Sequence, residues 1–219
     1  MNAALARQAT LVALWVQIAA MIASGVYGAL SGSGPRDSLW WLSIAGTLLA
    51  VTSLALWTLL LGGYLRGLAA PEHSGLLRAF RRTFPWLIAL NAALLLVISA
   101  AVMTASLSGL ADEVNPLAAL LYFLASGTGL VTNLAIFAVT SLLFTQPDNP
   151  LGRARLLTWL NVSAAASVAF TIMSVWPPAG LLSVHTLADQ LISGVQGLLD
   201  VAVTLLLMQA VRLLPAGWE

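Results

Sequence analysis

The 219-residue sequence contains no cysteine and no lysine, and it has few charges of either sign. Without cysteine the chain forms no disulfide, offers no thiolate to a metal, attaches no c-type haem covalently and has no thiol nucleophile. Without lysine it cannot form a Schiff base with a carbonyl substrate. All nine basic residues are arginine, set against eight acidic residues, and the resulting net charge of +1 is too small for a nucleic-acid binder, so no nucleic-acid partner is expected. Charged residues make up 8% of the chain, against about 25% in a soluble domain, which leaves too little polar surface to face water on all sides.

What is present is apolar: 60% of residues are hydrophobic and the mean hydropathy is +0.94. The charges fall in short clusters separated by uncharged runs of roughly 20 residues, the length that crosses about 30 Å of hydrocarbon as a helix. Six such runs are expected at about 10–30, 39–65, 85–107, 116–144, 155–176 and 184–213. Breakers divide them: Ser31-Gly32-Ser33-Gly34-Pro35, the Arg-rich stretch from Arg66 to Thr83, Asp112-Glu113 with Asn115-Pro116, Gln146-Pro147-Asp148-Asn149-Pro150, and Pro177-Pro178. The first run is too long for a signal-peptide core and is expected to be a retained helix. The fold class is therefore all-α: a polytopic integral membrane protein of six transmembrane helices, forming a single domain over 1–219. The two halves show no convincing internal repeat.

Orientation follows from arginine, because cytoplasmic loops retain positive charge. With six spans, Arg7, Arg66, Arg78, Arg81, Arg82, Arg153, Arg155 and Arg212 share one side and Arg36 lies on the other. Both termini are accordingly expected in the cytoplasm, in what is most simply a bacterial cytoplasmic membrane. Tyr27, Trp40, Trp41 and Trp176 near the outer ends, and Trp57, Tyr64, Trp86, Trp159 and Trp218 toward the inner ends, suit the same spans.

The sixth helix is the most polar. His185, Asp189, Ser193, Gln196, Asp200 and Thr204 recur at spacings of three or four and so share one helical face. Asp200 falls near the bilayer midplane, where even the lowest scale charges about 2.5 kcal/mol for a carboxylate, so it must face protein or water. No Arg, Lys or His of another helix reaches that depth, and the carboxyl is expected to be neutral at rest. Its expected neighbours are the hydroxyl and amide groups of Ser163, Ser167, Thr171 and Ser174 on helix 5 and of Ser126, Thr128, Thr132 and Asn133 on helix 4. Together these enclose a polar cavity between helices 4 to 6. The candidate substrate or ion pathway is Asp200, Gln196, Asp189, Ser193, Thr204, Asn133, Ser126 and Ser167; the plainer alternative is that these groups only hydrogen-bond helices together.

Ala125-Ser126-Gly127-Thr128-Gly129 collects helix-weakening residues, as a broken helix beside a binding site would, and as close packing also does. Ala20, Ser24 and Gly28 form a small-residue ladder read as helix packing. Ser126-Gly127 on the fourth helix and His185 at the start of the sixth resemble the serine and histidine of the rhomboid intramembrane proteases. Leu124 stands where that pattern has glycine and no Trp-Arg loop follows helix 1, so no family is assigned. His73 and His185 lie at opposite ends and cannot flank one haem, and His185 with Asp189 supplies two metal ligands where three are needed, so no cofactor is expected.

In the segment at about 74–84, Leu76, Leu77, Phe80 and Phe84 alternate with Arg78, Arg81 and Arg82, which suits a short amphipathic helix in the interface against anionic headgroups. Membrane lipids, anionic lipid at the cytoplasmic face included, are the expected partners, and other membrane subunits are a further possibility. Three functional classes fit these features. The first is a small transporter or the substrate-binding membrane component of one; the second is a noncatalytic structural or assembly subunit of a larger membrane complex. An intramembrane enzyme is a remote third, since no catalytic set is evident.

Overall fold

The computed structural model describes residues 2–31, 38–66, 74–107, 116–146, 148–175 and 187–214. They form six helices: α1 Ala3–Ser31, α2 Ser38–Leu65, α3 Ser74–Leu107, α4 Pro116–Thr145, α5 Pro150–Val175 and α6 Leu187–Arg212. Five are long and apolar enough to span a membrane, with spans Ala3–Leu30, Ile44–Leu65, Gly127–Thr145, Pro150–Met173 and Gln190–Arg212. Large apolar side chains point outward along the whole bundle, among them Leu30, Trp86, Leu151, Leu187 and Leu198, an arrangement that water would penalise and lipid does not. This is the architecture of an integral, multi-pass membrane protein.

Each helix packs on its neighbours in sequence, α1 closes the ring by packing on α6, and α2 also touches α4 across the interior. Consecutive helices run antiparallel, and hydrogen bonds tie their Arg-bearing ends together. Arg7 Nη1 donates to the Leu65 carbonyl at the C-terminus of α2, 3.3 Å away, where it satisfies an acceptor left over at the helix end. Arg81 Nε donates to Ser141 Oγ at 3.1 Å, joining the start of α3 to the end of α4. The turn between α4 and α5 is tight: Asn149 Oδ1 accepts the Gly152 N–H at 3.0 Å as an N-cap, and Pro150 takes the first helical position, where its missing N–H has no partner to lose. A Cβ at Gly152 would lie 2.9 Å from Leu143 Cδ2, so a larger residue there would require the leucine side chain to move.

Three boundaries differ from the sequence expectation, and the first is α1, which begins at Ala3 instead of near Thr10. α5 begins at Pro150 instead of near Arg155, because the Asn149 cap nucleates the helix upstream of the arginines. The 74–84 segment is continuous with the helix that follows, and α3 runs through Pro85. Phe80 and Phe84 stack on each other with centroids 5.1 Å apart, and Phe84 meets Phe137 of α4 at 4.2 Å. Its apolar face is thus filled by protein, while Arg78 and Arg82 remain exposed.

Burial is distributed unevenly along the bundle. Among the described residues, every buried side chain lies in the Arg-rich half, from Ala6, Tyr64, Phe80, Leu143, Leu156 and Leu214 at the end to Ile18, Trp57, Thr132, Leu160 and Val203 near the middle. Trp57 anchors the upper layer of this core: its Nε1 donates to Thr140 Oγ1 at 3.2 Å, and its ring lies 5.9 Å from that of Phe137. Beyond this layer no described side chain is buried.

Candidate functional site

Asp200 sits near the middle of the α6 span, at the edge of this buried core. Ring closure brings α1 against α6, and Gln17, near the middle of the α1 span, donates from Nε2 to Asp200 Oδ1 at 2.6 Å. Ser167 of α5 hydrogen-bonds the other carboxyl oxygen, Oδ2. A hydroxyl can donate to a carboxylate or accept from a carboxylic acid, and Gln17 keeps the carbonyl face of the group satisfied in both cases, so this three-helix node suits either protonation state. Both oxygens are partnered by neutral groups, and no cation is within reach among the described residues.

One turn farther from the Arg-rich end, Gln196 Nε2 donates to Ser24 Oγ at 2.5 Å and reaches the Ala20 carbonyl at 3.4 Å. Toward the Arg-rich end, Thr10 Oγ1 donates to the Leu206 carbonyl at 3.1 Å. Thr10, Gln17 and Ser24 are therefore three rungs of one α1–α6 seam, spaced by seven residues along α1. On the other side of α6, a Cβ at Gly197 would fall onto the Thr171 hydroxyl and 2.7 Å from Thr171 Cβ and Cγ2. Glycine at 197 allows the close α5–α6 contact that holds Ser167 against Asp200.

Two cavities meet at this node. The first, of about 450 Å³, extends away from the Arg-rich end between α1, α4, α5 and α6, and its lining includes Thr132, Ser163, Thr171, Ser193 and Gln196. The second, of about 440 Å³, is bounded by all six helices and is floored by Trp57, Phe137, Leu160 and Leu207, with Ser53, Asn91 and Thr204 on its walls. Gln17, Met21, Gly129, Asn133, Ser163 and Asp200 line both. The Ser53 hydroxyl is buried without a hydrogen-bond partner among the described residues, although buried polar groups are usually satisfied by protein or water. Among the described residues, Asp200 is the sole titratable side chain on either lining.

Asp200, Gln196, Ser193, Asn133 and Ser167 thus come together around one space. Thr204 lines the second cavity, and its hydroxyl donates to the Asp200 carbonyl oxygen at 2.8 Å. The side chains of Ser126, Ser174 and Asp189, and the whole of His185, lie outside the described residues. Arg78, Arg81 and Arg82 occupy the first turns of α3, at the far end from the outer cavity. Helices 4 to 6 do not enclose the space alone: Gln17 of α1, Ser53 of α2 and Asn91 of α3 complete it. Gln17 carries a detectable signal, an amide at the centre of an otherwise apolar span and in heptad register with Thr10 and Ser24. Its partner, however, is 183 positions away, and local periodicity cannot supply that pairing. No family model, curated protein or solved structure matches the chain.

Proposed function

We propose that this protein is a small transporter, or the substrate-binding membrane component of one, in which Asp200 is the protonatable group of a polar site at the bilayer midplane. The observation that carries the reading is the pair of cavities meeting at one intramembrane carboxyl, with every buried side chain among the described residues on the Arg-rich side of that level. A carboxyl used only to bond helices needs no such space beside it. A carrier caught open to one face needs a closed half, an open half and a solute-facing group between them. Four amide side chains, several hydroxyls and a neutral-partnered carboxyl supply that group.

The membrane placement belongs to the same proposal. α3 contains no charged residue from Trp86 to Leu107 and serves as the sixth span. The Arg-rich end faces the cytoplasm of a bacterial cell, by the charge rule. The closed half is then cytoplasmic, the cavities open outward, and Arg78, Arg81 and Arg82 lie level with anionic headgroups.

The absence of native cysteine allows a direct test. Ser163→Cys and Ser193→Cys place thiols on the cavity wall, and Leu207→Cys places one in its floor. Under this reading a membrane-impermeant thiol reagent added from outside labels the first two and spares the third. Asp200→Asn retains the shape and most of the hydrogen bonding, so folding survives with a cost near the 0.6 kcal/mol average of such bonds, while activity in the host cell and its pH dependence are lost. Unlabelled cavity positions together with a fully active Asn variant would instead identify a packed structural subunit.

A further inference from the structure

We infer that the ligand of this site is a small organic cation with an apolar body, an ammonium group attached to an aryl or alkyl part, and that it binds in exchange for the Asp200 proton. The inference rests on the transport reading above and names its substrate class.

The first argument is charge. Along both cavities the described residues offer one ionisable group, and it is acidic. α1 presents Gln17, α2 presents Ser53 and Trp57, α3 presents Asn91, α4 presents Thr132 and Asn133, and α5 presents Ser163, Ser167 and Thr171. Among the described residues, no arginine or histidine reaches the linings. An anion would meet a carboxyl with no counter-charge, whereas a monocation completes the pair that Asp200 lacks. A carboxylate has about four lone-pair sites, and Gln17 and Ser167 occupy two, so acceptor capacity remains on the cavity side.

The second argument is the shape and chemistry of the floor. An inorganic divalent ion requires several oxygen ligands converging within about 2.6 Å, and no group of three or more His, Cys, Asp or Glu occurs among the described residues. Cavities of about 450 and 440 Å³ lie in the range of small organic ligand sites, roughly 300–1,000 Å³. Trp57 and Phe137 line the second cavity, and aromatic side chains take up an apolar body and attract a low-density cation once water is excluded. Leu160, Leu207 and Ile136 beside them accept the apolar body.

The exchange balances without a further reactant. The carboxylic acid releases its proton to water on the open side and the carboxylate pairs with the ammonium; in reverse, a proton from water returns to the carboxylate as the cation leaves. Proton and cation therefore compete for one group, and cation affinity rises with pH.

The experiment uses the purified full chain in detergent, with benzyltrimethylammonium as the probe and benzyl alcohol and phenylacetate as its neutral and anionic counterparts. Calorimetric titration in buffers of different ionisation enthalpy counts protons. The expected result is saturable binding of the cation alone, up to one proton released per cation at low pH, and loss of both in Asp200→Asn. Asp200→Glu restores binding, and Phe137→Leu weakens it roughly 5- to 30-fold without altering the proton count. Equal binding of phenylacetate or benzyl alcohol, or cation binding untouched by Asp200→Asn, overturns the inference. If the cysteine positions label but the cation does not bind, the substrate class falls and the transport reading stands. If the positions do not label, both fall.

Discussion

The contact between Gly197 and Thr171 offers the sharpest physical test of how the site is built. Replacing Gly197 with alanine introduces a methyl group where the Thr171 hydroxyl already sits, with Thr171 Cβ and Cγ2 2.7 Å away. Inserting a methyl into a filled contact costs about 1–3 kcal/mol, and overlap with a Cβ, which cannot rotate away, belongs at the upper end. Alanine recovers about 1 kcal/mol over glycine in helix propensity, which leaves a net loss of roughly 2 kcal/mol. The strain is relieved by moving α5 away from α6, and Ser167, one turn from Thr171, then withdraws from Asp200. Thr171→Ala removes the hydroxyl and Cγ2 overlaps but leaves the Cβ. The double variant should therefore recover more than half of the loss, with a coupling of about 1–2 kcal/mol. Thermal unfolding of all four proteins in one detergent measures this, and cysteine labelling at position 163 reports whether the cavity widens. Gly197→Ala as stable as the parent, or no rescue by Thr171→Ala, would refute the claim that this contact sets the α5–α6 distance.

Three further outcomes are expected. Gln17→Leu removes the donor to Asp200 Oδ1 and leaves that oxygen unpaired, so it should destabilise the fold by about 1–3 kcal/mol in detergent melts, whereas the same change made in Asp200→Leu should be much milder; equal effects in both backgrounds would show that the two side chains do not act as a pair. Replacing Arg78, Arg81 and Arg82 together with Gln should reduce retention of anionic lipid in native mass spectrometry, each charge near such a surface contributing on the order of 1 kcal/mol; unchanged retention leaves the cluster no lipid role. Reporter fusions after Gly32, Ala111 and Gly180 should all read external, and an internal signal at Ala111 would remove α3 as a span.

Several levels of this protein are legible without coordinates because they depend on local or one-dimensional properties. Run length and the scarcity of charge define the apolar helices. Pro116 marks the start of α4 through the N–H it lacks, whereas the Asn149 cap and Pro150 start α5 upstream of the bound expected near Arg155. The spacing of Ser193, Gln196, Asp200 and Thr204 puts them on one face of α6, since helical periodicity is a property of the chain itself. Tertiary structure decided the rest. Gln17 reaches Asp200 only because the six helices close into a ring, a consequence of packing between the first and last helices that no local pattern encodes. The apolar face of 74–84 turned to Phe137 rather than outward, and amphipathicity alone does not distinguish a protein surface from a lipid one. The concentration of buried side chains at the Arg-rich end among the described residues, and the cavities at Asp200, likewise arise from how six similar apolar helices meet. In lipid, hydrophobicity does not choose which face turns inward, so small residues such as Gly197 and polar pairs such as Gln17 with Asp200 make that choice.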